Sequence, residues 1–401
     1  MKFHFVGGIF PPSQQALIQE SSIGVIQNAA NAFQLNLLAG FDEVCGGIEV
    51  LNLPFIGSYP KRFTRAAMPA CTDRVFKNTR VSGIGFSNWP VWKQVSRFLS
   101  LRAALRRKEW REGDCCVIYS MHLPFVAAVS MAKRRNPGMK ICLIVPDMPE
   151  FMSENPGFLY RSYKAIEGGL LDYFRRRVDC YVLLTAAMAS KLGARPEQYV
   201  VVEGIASVAH GAAQARAAGE PLSVCYTGTL AGRYGIRDLV DAFRAIERSD
   251  IRLWICGDGD ARDYVLKAAA SDNRITYFGQ MGHAEVLALQ QSSTVLINPR
   301  GAEGEYTKYS FPSKVLEYMS SGRPTIIHRL EGIPEEYYEY CFCTGQPGAA
   351  GLKSSLEQVI AADPAVLDSV GLKAQEFVRN KKSSALQVRK IVELVSGGLS
   401  A

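Results

Sequence analysis

Short apolar runs alternate with longer amphipathic stretches along almost the whole chain. In the first half, Lys2–Val6, Cys115–Ser120, Met139–Val145, Cys180–Leu184 and Tyr199–Val202 read as strands. In the second, Ser223–Tyr226, Ile251–Cys256, Ile275–Phe278, Thr294–Ile297 and Thr325–His328 do. Most are continuously apolar rather than alternating, as expected of strands covered on both faces. Strand–helix–strand repetition gives parallel sheets with right-handed crossovers, and roughly five such units per half predict two doubly wound α/β domains.

The segment from Ser207 to Gly219 is rich in small residues and poor in large apolar ones, the strongest linker signal in the chain. The expected division is a first domain at residues 1–206, a linker at 207–221 and a second domain at 222–377. Lys373–Lys382 and Leu386–Val395 read as a closing pair of helices. Residues 21–41 carry no charge and are long enough to cross a bilayer. They hold too many polar groups for lipid, however, and Gln27, Asn28, Asn31 and Gln34 follow helical spacing. The expectation is an amphipathic helix. Met1–Gly8 is too short, and too soon broken by Gly and Pro, to read as a signal peptide.

With 48% apolar and 21% charged residues, the chain has ordinary globular composition, which excludes disorder, collagen-like fibres and coiled coils. Its 46 Lys and Arg against 38 Asp and Glu give a formal charge of +8. That suits anionic small molecules or an anionic membrane surface and falls short of a dedicated nucleic-acid binder. Ten cysteines include no Cys-x-x-Cys, and several sit inside apolar runs. They read as small buried hydrophobes in a cytoplasmic, reducing compartment rather than as zinc ligands.

The most informative stretch runs from Gly301 to Ile327. Ser310 reads as a cap and Pro312 as first-turn residue of a helix reaching Ser321, with Gly322 stopping it. Lying between two strands, this helix points its N-terminus outward from the carboxyl edge of the sheet, where doubly wound folds bind ligands. Free amides there favour phosphate, and Lys314 adds a full charge. Glu317, one turn after Ser313, can accept hydrogen bonds from ribose hydroxyls. The competing reading is a plain amphipathic helix with a solvated Lys and Glu. A second turn, Thr229-Leu-Ala-Gly-Arg-Tyr-Gly235, follows the strand ending at Gly228. Gly228, Gly232 and Gly235 permit close backbone approach, and Arg233 can grip a diphosphate bidentately.

These turns, with Leu253-Trp-Ile-Cys-Gly-Asp-Gly259, Ile275-Thr-Tyr-Phe-Gly279 and Ser310-Phe-Pro-Ser-Lys-Val-Leu-Glu-Tyr-Met319, resemble the donor half of a retaining GT-B glycosyltransferase. The resemblance is to family 4, the glycosyl transferases group 1 of bacterial polysaccharide assembly, strongly over residues 222–330. It implies an α/β GT-B fold, two doubly wound Rossmann-like domains facing across a cleft, with a C-terminal helix of about 378–401 packing back on the first. It further implies a nucleoside-diphosphate sugar, with UDP the commonest in the family, held by Gly228, Thr229, Arg233, Gly257, Asp258, Tyr309, Ser310, Phe311, Pro312, Ser313, Lys314 and Glu317. The acceptor would be a glycan or lipid-linked oligosaccharide, and no cofactor or metal is expected. Two departures stand out. The family's first of two glutamates falls at Tyr309, and its phosphate-binding Arg and Lys fall at Thr229 and Tyr234, so Arg233 and Lys314 would take over the diphosphate.

In the first half, Gly7 and Gly8 resemble the family's Gly-rich loop that approaches the donor phosphate, and His122 its active-site histidine contacting the reacting sugar. Asp147, after the next strand, could orient or deprotonate an acceptor hydroxyl or merely shape a turn. Asp258-Gly-Asp260 resembles a metal-binding pair, but Asp260 reads better as the N-cap of a helix over Ala261–Ala270. Residues 92–111 hold seven cations and one acid, with Val91, Val95, Phe98 and Leu105 near helical spacing. That predicts a basic amphipathic helix, either solvated or lying on an anionic membrane at the inner face of the plasma membrane. The expected activity is transfer with retention. A GT-B nucleotide-sugar epimerase and a catalytically degenerate partner-binding protein are the alternatives.

Overall fold

The computed structural model describes residues 1–24, 26–148, 158–206 and 221–397, without the side chains of residues 158–164. All but the last residue of the expected linker at 207–221 lies outside the described residues. The chain divides into two compact units, Met1–Ile205 with Ser384–Ala401 and Ala206–Ser383.

The first unit runs β1 (Phe3–Gly7), α1 (Gln15–Ser21), α2 (Asn28–Cys45), β2 (Glu49–Asn52), β3 (Ala67–Met68), β4 (Cys71–Arg74), β5 (Arg80–Gly83), β6 (Phe86–Ser87) and α3 (Trp92–Arg106). It continues through β7 (Cys115–Tyr119), α4 (Leu123–Arg135), β8 (Lys140–Val145), α5 (Phe158–Arg175), β9 (Cys180–Leu183), α6 (Ala187–Leu192) and β10 (Tyr199–Val201). Eight strands form a sheet in the order β10-β9-β8-β7-β1-β2-β5-β4. All its pairs are parallel except β4 with β5 at the edge. The expected single helix over residues 21–41 is broken: α1 ends at Ser21 and α2 begins at Asn28. Between them Gly24 adopts φ +82°, which a helix cannot continue through. The helix α13 (Ser384–Ser396) packs Val388, Ile391 and Leu394 into the same core as Phe41 of α2.

The second unit runs β11 (Leu222–Thr227), α7 (Ile236–Arg244), β12 (Ile251–Cys256), α8 (Arg262–Ser271), β13 (Ile275–Gly279), α9 (His283–Ser292) and β14 (Val295–Asn298). It closes with α10 (Ser313–Ser320), β15 (Thr325–Ile327), β16 (Phe342–Cys343), α11 (Gly348–Ala361) and α12 (Pro364–Lys381). Its six strands, ordered β13-β12-β11-β14-β15-β16, are all parallel. On α7 the buried Ile236, Leu239, Val240 and Phe243 fall at positions three, four and seven apart, one face of a helix. Each contributes about 1.5–3 kcal/mol by leaving water. The chain leaves this unit after α12, where buried Lys382 pairs with Glu336 and lies over the rings of Tyr337 and Phe377. That anchor holds the residues from 378 to 381 in the second unit, so the closing helix starts at Ser384 rather than near 378.

Candidate functional site

In the second unit β11 lies between β12 and β14, so chain order reverses there. Doubly wound sheets open a crevice at their carboxyl edge at such a point. The turn after β11 and the turn after β12 meet face to face. Gly228 N–H donates to Cys256 O at 2.9 Å and Leu230 N–H to Asp258 O at 2.9 Å. Gly257 has φ +141°, and a Cβ there would stand 1.8 Å from Gly228 O. Gly257 is therefore glycine because the two turns touch.

Behind this turn a buried polar set reaches the surface. The Tyr318 hydroxyl accepts from Thr227 N–H and donates to Thr227 O, both at 2.9 Å, which ties α10 to the end of β11. Fully buried Gln290 on α9 donates from Nε2 to Thr227 Oγ1 at 2.7 Å and to Glu317 Oε1 at 2.5 Å. Lys314 Nζ donates to the same Oε1 at 2.7 Å, and its Cε passes 3.8 Å from where a Gly228 Cβ would stand. Burial pushes the Glu317 carboxyl up, but Lys314 and Gln290 outweigh it and hold it below the usual range. Gly228, Lys314 and Glu317 thus converge, and Gln290 and Tyr318 support them.

The helix behind this cluster starts later than expected. Pro312 is the N-cap of α10, no side chain caps it, and Ser313 and Lys314 are its first residues. Ser310 instead donates to Tyr306 O and accepts from Arg300 Nη2 at 2.6 Å. Phe311 turns into the core, its ring 5.3 Å from that of Tyr337, so its side chain is structural. Arg300, a cation that the sequence reading missed, lies over the rings of Tyr234 and Tyr306 at 5.5 and 5.0 Å. Exposed Arg233 lies over Tyr234 at 5.3 Å, and its carbonyl accepts from the Tyr306 hydroxyl. These contacts place Arg233, Arg300, Tyr306 and Ser310 in one neighbourhood. Tyr309 donates to Glu305, which places a carboxylate beside the position of the family's first glutamate. Thr229 is exposed, and its carbonyl accepts from the buried Tyr226 hydroxyl.

Asp260 does not cap α8, whose N-cap is Ala261. Its Oδ1 accepts from Gly232 N–H at 2.9 Å, and Asp258 accepts from Gly259 N–H at 2.9 Å. Among the described residues no group of three or more His, Cys, Asp or Glu is placed to hold a metal ion.

In the first unit His122 is the N-cap residue of α4, with its ring edge-on to Phe55 and Phe125 at 5.8 and 4.6 Å. Ser120, two residues earlier, holds φ +72°, a strained setting for a residue with a side chain and one concentrated at functional sites. His122 and Asp147 line one cavity of about 480 Å³ together with Tyr119, Arg62, Glu167 and Phe55. Burial first, and Asp147 second, push the Tyr119 hydroxyl up. The Gly7-Gly8 turn is closed from within. The amides of Gly8, Ile9 and Phe10 donate to Gln34, Asn52 and Asn31 side chains, each at 2.8 Å. A Cβ on Gly8 would stand 2.4 Å from the Phe55 ring. Of the polar residues expected on an exposed face of α2, Asn31 and Gln34 are spent on this turn, whereas Gln27 and Asn28 are exposed.

The helix α3 buries members of both its basic and its apolar sets. Lys93, Arg97, Leu101 and Leu105 are buried, whereas Val91 and Val95 are 84% and 40% exposed. Lys93 donates to Ile56 O at 2.5 Å and to Gly57 O at 3.2 Å, and Arg97 donates to Pro54 O. Burial, then the neighbouring Arg97, pull Lys93 down to about 7. Both cations also line the His122 cavity.

Residues 221–361 match the family model described as glycosyl transferases group 1. No curated protein matches the sequence significantly. Solved structures align over essentially the full chain. HepE of Anabaena, in complex with UDP, is 14% identical with a TM-score of 0.63, covering 99% of this chain and 100% of its own. The lipopolysaccharide outer core galactosyltransferase WaaB is 15% identical with a TM-score of 0.65, covering 100% of both chains. The α,α-trehalose-phosphate synthase of Burkholderia xenovorans, in complex with glucose-6-phosphate, is 11% identical with a TM-score of 0.65, covering 98% and 100%. The chain has the α/β fold of GT-B glycosyltransferases, and its second unit carries the group 1 match. The resemblance read from the sequence holds for both.

Proposed function

We propose that this protein transfers a sugar from a nucleoside-diphosphate sugar, in the first instance a UDP-sugar, to a glycan or lipid-linked oligosaccharide with retention of configuration. The setting we infer is bacterial surface or exopolysaccharide assembly at the inner face of the plasma membrane. The observation that carries the reading is the convergence of Gly228, Lys314 and Glu317 at the reversal point of the second sheet.

In this reading Lys314, Arg233 and the first amides of α10 neutralise the leaving diphosphate, where negative charge grows in the transition state. Arg300 adds a third cation through its contact with Ser310. Glu317, held ionised by Lys314 and Gln290, accepts from the ribose hydroxyls. His122 contacts the reacting sugar and Asp147 orients the acceptor hydroxyl, both from the cavity of the first unit. The amides of Gly8, Ile9 and Phe10 are already bonded and the space beside Gly7 and Gly8 is filled by Phe5, Gln34 and Phe55, so in this reading the turn shapes the first unit and these three amides do not serve the phosphate. The complexes of HepE with UDP and of the trehalose-phosphate synthase with a sugar phosphate are consistent with such donor and acceptor chemistry.

Calorimetric titration with UDP, GDP, ADP and their sugar conjugates tests the donor site. Micromolar binding of one nucleotide names the base, and the anomeric proton of the product then reads retention. Tyr309 at the family's glutamate position favours one second reading, a partner-binding protein without turnover. Tight nucleotide binding with neither transfer nor hydrolysis would select it. Absence of binding to every nucleotide would refute the donor site.

A further inference from the structure

We propose that the cavity between α3 and α4 binds the phosphate headgroup of an anionic phospholipid, while the exposed start of α3 enters the bilayer interface. The proposal deepens the membrane location inferred above and rests on it. The cavity, of about 440 Å³, is lined by Arg102, Arg106, Lys108, Arg134 and Arg135 around apolar Met131. Lys108 is paired with Glu49. Among the described residues no carboxylate pairs with the four guanidiniums. They crowd one another, and Arg106 is pulled down by Arg102 first and Arg135 second. Four like charges gathered without a counter-ion are unfavourable unless an anion shares them, and guanidiniums match phosphate oxygens bidentately.

The outer stripe of α3 supplies an independent observation. Trp92, Val95, Leu99, Arg102 and Arg106 are spaced by three and four residues, so they share one face. The first three are 53%, 40% and 46% exposed. Just before them Val91, a β-branched residue at φ +64°, is 84% exposed and Trp89 is 50% exposed. A strained backbone that holds a valine in water between two tryptophans is unfavourable for a solvated surface. It suits an interface where indole rings sit at headgroup level and aliphatic groups reach below. A soluble phosphate compound would account for the arginines and leave the apolar end unexplained. A bilayer accounts for both halves of the stripe. The inner stripe of the same helix, Lys93 and Arg97, lines the His122 cavity, so α3 lies between the lipid surface and the candidate acceptor site.

The test is flotation of the full chain with vesicles of phosphatidylcholine alone and with added phosphatidylglycerol. Two variants accompany it, a triple Arg106→Gln, Arg134→Gln, Arg135→Gln and a double Trp92→Ser, Val95→Ser. All five positions are surface residues outside the donor and acceptor sites, and melting curves check that both variants fold. The wild-type chain is expected to float with the anionic vesicles only. The triple variant is expected to lose binding by roughly a hundredfold, at about fivefold per charge near the surface. The double variant should retain weak binding that added salt abolishes. Equal binding to both vesicle types, or an unchanged triple variant, overturns the proposal. So does arginine-dependent binding of tripolyphosphate in solution without vesicle binding, which would assign the cavity to a free phosphate ligand. UDP titration of the same samples is separate: its failure with vesicle binding intact would refute the glycosyltransferase reading and leave the lipid site standing.

Discussion

Replacing Lys314 by alanine probes the proposed donor site at its most charged point. Nζ lies 2.7 Å from Glu317 Oε1 with the side chain 34% exposed, so one N–H serves the carboxylate and two remain for a diphosphate. A charge-assisted hydrogen bond contributes about 1.5–3 kcal/mol, and about 1.4 kcal/mol is a factor of ten in affinity. UDP should therefore bind Lys314→Ala roughly ten- to a hundredfold more weakly than the wild type. Uridine, which has no diphosphate, should bind both proteins alike. A second effect follows from the same contact. Without Lys314, burial of Glu317 is opposed chiefly by the Gln290 bond, so its carboxyl rises. Protonation then removes a negative charge beside the diphosphate, and UDP affinity of the variant should recover partly as the solution is acidified. Calorimetry with both ligands across pH reads all three outcomes. Loss of UDP affinity by less than about threefold in a folded variant, or equal weakening of uridine and UDP, refutes the placement of the diphosphate.

Gly257→Ala puts a Cβ 1.8 Å from Gly228 O at φ +141° and should lower stability by about 3 kcal/mol or more. Gly232→Ala, whose Cβ would meet nothing nearer than 3.8 Å, should melt within a degree or so of wild type, and the pair is read by thermal unfolding. Tyr318→Phe removes the hydroxyl held between Thr227 N–H and Thr227 O and should cost about 1–3 kcal/mol in urea unfolding. Glu49 is held down to about 2 by His4 and by Lys108 against burial. Its contribution is present above the ordinary 4.5 and is lost as pH falls toward 2. Because the side chain is 41% exposed, water screens the pair and about 1 kcal/mol is expected. Glu49→Gln should flatten the acid limb of the stability curve by that amount.

The sheets were legible where a buried strand forms an apolar run, whereas β2, buried in mid-sheet but holding only Val50 and Leu51 between Glu49 and Asn52, escaped. The runs at β1, β7, β8, β11 and β14 are buried at successive positions because helices pack on either side. The strands β4 and β5 escaped because each has four residues at or near the sheet edge, where burial alternates and Arg80 and Arg74 remain exposed. In the candidate site of the second unit Lys314 and Glu317 were readable because a helix places residues three apart side by side. Gln290, Arg300 and Tyr318 were not. Gln290 and Tyr318 act through Thr227, far away in sequence, and Arg300 acts through Ser310 across a turn. The helical period of α3 was legible but its inward face was not. Apolar periodicity carries no trace of the carbonyls of Pro54, Ile56 and Gly57, which draw Lys93 and Arg97 inward.

Those buried cations bear on how the two units treat an anion. The second unit presents the N-terminal amides of α10 beside Lys314, so backbone and side chain act together. The corresponding turn of the first unit has bonded its amides to Gln34, Asn52 and Asn31. Charge recognition in the first unit must therefore come from side chains. Among the described residues, Lys93 and Arg97 have carbonyl oxygens as their hydrogen-bond partners, in a cavity that the carboxylates of Asp147 and Glu167 also line. Neutral donors would hold the same carbonyls at a lower desolvation penalty. The cavity of the first unit thus brings two cations, Lys93 and Arg97, together with two carboxylates, Asp147 and Glu167.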